Sequence, residues 1–142
     1  MSDWKLFALG SAFFAGLTAV LAKIGVKNIP SNTATFIRTI VILIFIFLII
    51  NARKEWQSFS SLNKSSLLFL ILSGIATGLS WLCYFRALQT GPASLVAPID
   101  KFSIIFAVIL SIMFLGESLC LTQWIGIILI TSGTILILFC KS

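Results

Sequence analysis

The chain has 142 residues, of which 59% are hydrophobic and only 10% are charged, and its formal net charge is +6. Soluble domains are about half apolar and about a quarter charged, and one core could not bury this much apolar surface. The composition therefore excludes a soluble globular protein and predicts a single integral membrane domain over residues 1–142. The basic residues are dispersed and several interrupt apolar runs, so they indicate membrane anchors or site residues and argue against nucleic-acid binding.

Apolar segments long enough to cross a bilayer, about 17–25 residues, follow one another along the chain. The predicted spanning helices cover approximately residues 4–25, 33–50, 67–88, 94–115 and 121–139. The first is longer than the apolar core of a usual signal peptide, so we expect it to be a retained helix. Because lipid offers open strands no hydrogen-bond partners, the fold class is predicted to be an all-α transmembrane bundle of five helices.

The connections between these helices carry turn residues such as Pro30, Pro92 and Gly116. Such short connections predict that consecutive helices are antiparallel neighbours. The longest connection, residues 51–66, has Trp56, Phe59 and Leu62 at roughly helical spacing. That spacing predicts a segment that lies flat at the membrane interface.

Ionisable residues inside spans are costly, so each needs a partner or a function. They are Lys23, Arg38, Arg86, Asp100 and Lys101, and antiparallel threading places all of them at one depth, opposite the N-terminus, with a net charge of +3. Lys23 and Arg86 are near helix ends, where extension of their side chains to the headgroups is the favoured explanation. Arg38 and Lys101 are about 8–11 Å inside their spans, and Asp100 is too short to reach the surface, so it is expected to pair with Lys101 or Arg38.

These charges predict a polar, cationic pocket that suits a carboxylate, a phosphate or a zwitterion. The predicted substrate-binding residues are Arg38, Trp81, Tyr84, Asp100 and Lys101. The predicted gating or cavity residues are Lys23, Arg86 and Pro98. Pro98 is expected to kink the fourth helix near Asp100, because proline removes a backbone donor. Small and hydroxylated residues also form stripes along the helices, and these fit close helix packing as well as a polar cavity.

Enzymatic and metal-binding functions find little support in the residue types. The chain has no histidine, and Asp100 is the only acidic residue deep inside a span, so no acid–base pair is available. Cys83, Cys120 and Cys140 lack the spacing of a metal site. We therefore predict a protein that is not an enzyme and has no cofactor and no metal.

Two parts of the chain resemble EamA-type proteins of the drug/metabolite transporter superfamily. The first is the run from Tyr84 to Ala93, YFRALQTGPA, continued by Val96-Ala97-Pro98; the second is Phe114–Glu117 followed by Gln123–Gly126 and Gly133. The resemblance extends over essentially the whole chain as one five-helix repeat. It implies export or exchange of small metabolites, often amino acids or related compounds, through a cavity between two inverted repeats. Many relatives are uncharged where this chain has Ile99-Asp100-Lys101-Phe102. The substrates of those relatives are therefore a poor guide to the substrate of this chain.

An odd number of helices places the termini on opposite sides, so a transporter made of one repeat needs a partner inserted the other way. Outside the spans, four basic residues lie on the side of the membrane that holds the N-terminus and two lie on the opposite side. This bias is too weak to fix one orientation in the membrane. We therefore expect an antiparallel homodimer with dual topology in the cell membrane, or else pairing with a separate half-transporter subunit.

The function predicted from these features is secondary transport of a small polar metabolite, amino-acid-like or anionic, by alternating access. The alternative is a non-transporting membrane assembly or regulatory subunit with a dry, packed interior. An exporter of cationic drugs is disfavoured, because the interior of the first helix has no acidic residue.

Overall fold

A computed structural model describes residues 3–57 and 63–139 of the chain, and in these residues the regular structure is entirely helical. The helices are α1 (Asp3–Gly25), α2 (Ser31–Arg53), α3 (Lys64–Thr90), α4 (Ala93–Asp100), α5 (Ser103–Leu110), a π-helical turn (Ser111–Leu115) and α6 (Leu121–Phe139). In this described part, α4, α5 and the π-helical turn form one span, which gives five spans long and apolar enough to cross a membrane. The predicted fold class is therefore confirmed.

Backbone geometry explains where the helices start and stop. Pro30 and Pro92 immediately precede α2 and α4 with ψ near 137° and 141°, and their missing N–H groups cost nothing there. α2 runs three residues beyond its predicted end, because the chain leaves the helix only at Lys54, which has φ 54°. Gly116, with φ 66°, ends the fourth span in the same left-handed conformation.

The fourth span is interrupted just after Pro98, as the sequence predicted. Residues 101 and 102 form a turn in which the Lys101 N–H donates to the Pro98 carbonyl and the Phe102 N–H to the Ile99 carbonyl, both at 3.0 Å. These bonds reach three residues back instead of four, so the α-helical ladder is broken there. Asp100 and Lys101 therefore lie at a discontinuity inside an apolar span.

Gln123, a residue of the family-like motif, has a structural role. α6 begins at Leu121, and the Cys120 N–H donates to the Gln123 side-chain oxygen at 2.8 Å. This is the reciprocal half of a capping box, which satisfies a backbone donor that the helix cannot pair itself. The motif glutamine therefore fixes the start of the last span.

The chain divides into two compact units, Leu21–Thr90 and Met1–Val20 with Gly91–Ser142. In the first unit α2 packs against α3, and in the second α6 packs against α4 and α5. Among residues 3–57 and 63–139 few apolar side chains are buried within the chain. They are Ala19, Val26, Phe85 and Leu88. The remaining apolar surface is available to lipid or to another chain.

The connection after α2 is only partly described. Residues 55–57 are not helical, and the Trp56 indole N–H donates to the Asn51 side-chain oxygen at 2.9 Å, with its ring edge-on to Phe47. These contacts fold Trp56 back onto the end of α2. Phe59 and Leu62 lie outside the described residues, so the interfacial segment stays a prediction.

Candidate functional site

Arg38 of α2 lies against an aromatic wall on α3. Its guanidinium carbon is 4.2 Å from the centre of the Trp81 ring and 5.5 Å from that of Phe85. Trp81 and Phe85 are four residues apart, so they lie on the same face of α3, one turn from each other. A cation over an aromatic face is attracted by the ring quadrupole. The first unit therefore holds a half-buried cation beside two rings.

Tyr84 completes this aromatic cluster. Its ring lies edge-on to Phe85, with centroids 6.5 Å apart, and Phe85 is one of the two rings beside the Arg38 guanidinium. The structure thus brings together three of the predicted substrate-binding residues, Arg38, Trp81 and Tyr84. Phe85 was missed, although its spacing of four residues from Trp81 is a signal that could have identified it.

The guanidinium of Arg38 keeps its hydrogen-bonding capacity. Among the described residues of Leu21–Thr90, none accepts a hydrogen bond from it or forms an ion pair with it. In the same range, no unpaired side-chain nitrogen or oxygen is completely buried. The donors at the edge of the Arg38 side chain are therefore accessible.

Lys23, a predicted gating residue, holds the end of α3. Its ammonium donates to the carbonyl oxygen of the buried Leu88 at 2.6 Å. The last carbonyls of a helix have no partner within the helix and carry partial negative charge, so a cation is stabilising there. Lys23 therefore ties the end of α1 to the end of α3 within this unit.

Gln89, which sequence reasoning did not single out, strengthens the same junction. Its amide nitrogen donates to the carbonyl oxygens of Ile29 at 2.7 Å and Val26 at 3.4 Å. Its amide oxygen accepts from Arg86 at 3.3 Å. Arg86, the second predicted gating cation, therefore orients the amide that fastens the α1–α2 turn to α3.

Asp100 and Lys101, in the other unit, form an ion pair at the break of the fourth span. The Lys101 ammonium is 3.8 Å from an Asp100 carboxylate oxygen. The Lys101 side chain is 50% exposed and the Asp100 side chain 41%. Lys101 is one of the two partners that the sequence allowed for Asp100. An exposed ion pair inside an apolar span is costly in hydrocarbon, so it requires water, a ligand or another chain beside it. Pro98 lies two residues before it, inside α4.

The comparisons with known proteins agree with this architecture. A model of the EamA-like transporter family matches residues 3–139. An uncharacterized transporter in the cobO 3′ region of a Sinorhizobium species is 52% identical over 135 residues, which cover 95% of this chain and 96% of the relative. An uncharacterized protein of Methanocaldococcus jannaschii is 29% identical over 126 residues, 89% of each chain. No solved structure matches. The chain is a multi-pass membrane protein that belongs to the EamA-like transporter family.

Proposed function

We propose that this membrane transporter is a secondary transporter that exports or exchanges a small polar metabolite by alternating access, as a dimer in the cell membrane. The observation that carries the proposal is the exposed Asp100–Lys101 ion pair at the interruption of the fourth span. Membership of a transporter family also favours transport over catalysis. No cofactor or metal is part of the proposal.

Exposed charge is costly in lipid. A charged residue at the centre of a spanning helix costs about 2.5–3.5 kcal/mol on insertion scales. Many transporters place binding groups where a helix is discontinuous, because the freed backbone and the charges there can face a cavity. Asp100 and Lys101 meet both conditions, so a polar cavity is the environment that suits them best.

Within this proposal, substrate binding is assigned to residues whose contacts within their own compact unit are described above. They are Arg38, Trp81 and Tyr84 on α2 and α3, and Asp100 and Lys101 at the end of α4. Lys23, Arg86 and Pro98 are assigned to gating or to the cavity wall. The contacts of Lys23 and Arg86 support this role, because they control how the end of α3 is held. Pro98 supports it by weakening the helix next to the ion pair.

The proposed dimer is supported by the large apolar surface that the described residues leave unburied. We propose that the partner is a second copy of this chain inserted in the opposite orientation, or a separate half-transporter subunit. Gly74 and Gly78 favour an additional chain: a Cβ built at either would meet no other atom of the described residues within 4 Å. Glycines four residues apart let another helix approach closely in membranes. The same observation fits the alternative function, a non-transporting assembly or regulatory subunit.

The test uses purified protein in liposomes and radiolabelled amino acids, organic anions and zwitterions. We expect uptake or counterflow of at least one compound above protein-free liposomes. Lys101→Ala and Asp100→Asn should each abolish it without reducing membrane insertion, because each leaves one charge unpaired. Lys64→Ala, which removes an exposed cation at the start of α3, is the matched control and should retain activity.

Two results would decide against the proposal. Full activity in both ion-pair variants would show that the pair is structural. Absence of uptake for every compound, from protein that is folded and inserted, would favour the non-transporting subunit.

A further inference from the structure

We infer that Arg38 binds a carboxylate of the transported ligand through the edge of its guanidinium, while Trp81 and Phe85 hold its face. The inference rests on the proposed transport function and names the chemical class of ligand. It depends on one juxtaposition: an arginine stacked on two rings, with its donors left open.

The rings of α3 bear on which part of Arg38 a ligand can reach. A guanidinium is planar, with its five N–H donors in the plane and none on its faces. Its central carbon lies over the Trp81 ring, 4.2 Å from the ring centre, and Phe85, only 3% exposed, is a fixed neighbour at 5.5 Å. The rings therefore orient the side chain while leaving its hydrogen-bonding edge for another partner.

The missing acceptor distinguishes Arg38 from the other two arginines of Leu21–Thr90. Arg53 lies beside a carboxylate, and Arg86 donates to a side-chain amide. Arg38 has no acceptor among the described residues of this unit, although it lies seven residues into α2, about 10 Å along the helix.

The charge balance indicates that the partner is an anion from outside this unit. The only acidic residue in the sequence of Leu21–Thr90 is Glu55, which is paired with Arg53 near the far end of α2. Asp100 is paired with Lys101. A carboxylate matches a guanidinium edge with two parallel hydrogen bonds, and such bonds are stronger than neutral ones. A carboxylate-bearing ligand therefore satisfies both the charge and the open donors.

A lipid phosphate is the other anion that a guanidinium recognises. The contacts of Arg38 favour the carboxylate, because the guanidinium lies over the rings of α3 and is not extended alone toward a headgroup. The experiment therefore includes conditions that separate a free carboxylate from phosphate.

The binding test measures how fast phenylglyoxal modifies each arginine, by mass spectrometry, with the protein in phosphatidylcholine nanodiscs. L-Alanine, L-threonine and L-glutamate are the carboxylate probes, and the fully amidated form of each, in which no carboxylate remains, is its matched control. Inorganic phosphate is the phosphate probe. We expect at least one carboxylate to slow modification of Arg38 about tenfold, since a bidentate charged contact blocks the reactive nitrogens. Its amide should give no protection, and Arg53 should react equally in all samples.

The transport test uses any carboxylate that protects Arg38. Arg38→Lys keeps the charge but loses the bidentate edge, so KM should rise about tenfold, whereas Arg53→Lys should leave it unchanged. The inference is overturned if no carboxylate protects Arg38, if amides protect equally, or if only inorganic phosphate does. Transport with an unprotected Arg38 would refute the inference and leave the proposed function standing. Protection of Arg38 by a carboxylate that is not transported would support carboxylate binding at Arg38 and count against the proposed transport function.

Discussion

Removing the ammonium of Lys23 should loosen the end of α3. In Lys23→Met the bond to the Leu88 carbonyl is lost, while methionine retains much of the apolar stem. Hydrogen bonds to charged groups contribute about 1.5–3 kcal/mol, but side-chain bonds measured within a membrane protein average about 0.6 kcal/mol with a maximum near 1.7. Lys23 is half-buried, so water replaces part of the loss. We expect the free energy of unfolding to fall by about 1–2 kcal/mol.

The measurement is unfolding by increasing SDS in mixed micelles, followed by far-ultraviolet circular dichroism. Lys27→Met is the matched control: it removes the same charge four residues later, from an exposed side chain, and should change stability by less than about 0.5 kcal/mol. Lys23→Arg, which keeps a cationic donor, should recover part of the loss. The reasoning is refuted if Lys23→Met unfolds at the same SDS fraction as Lys27→Met.

Two further predictions concern a single backbone position and the topology. Gly116→Ala should lower the free energy of unfolding by about 1–2 kcal/mol, because Gly116 has φ 66° and no atom crowds the added methyl group. Gly126→Ala, in an ordinary helical conformation with equally open space, should be neutral or stabilising in the same SDS titration; equal effects would contradict the backbone argument. In a variant without the native cysteines, single cysteines at Ser2 and Ser142 should each be labelled by impermeant maleimide from both sides of the membrane. Labelling of each from one side only would exclude the antiparallel homodimer and indicate a separate partner subunit.

The spanning helices could be predicted because hydrocarbon leaves the backbone few alternatives to the helix. The predicted ends of α2 and α3 were off by two or three residues, since these helices continue into polar sequence until the backbone itself changes. Arg53 still belongs to α2, and the helix ends only where Lys54 turns left-handed. The break after Pro98 could be predicted because a proline removes a specific donor.

The partners within the candidate site were harder to predict. Arg38, Trp81 and Tyr84 were selected by residue type and depth, but nothing in the sequence placed Arg38 on the ring of Trp81. The partner of Lys23 is a backbone carbonyl 65 residues away. Every residue carries a carbonyl, so no sequence pattern could distinguish that of Leu88. Gln89 was missed for the same reason, since both of its acceptors are backbone groups.

Composition and periodicity along the chain were enough to identify the lipid bilayer as its surroundings, the order of the spanning helices and the charges that interrupt them. Which of these charges have a partner was known only from the folded chain. It paired Asp100 with Lys101, placed Lys23 on a helix end and left the donors of Arg38 open. Such pairings depend on distances between helices, which the order of residues does not specify.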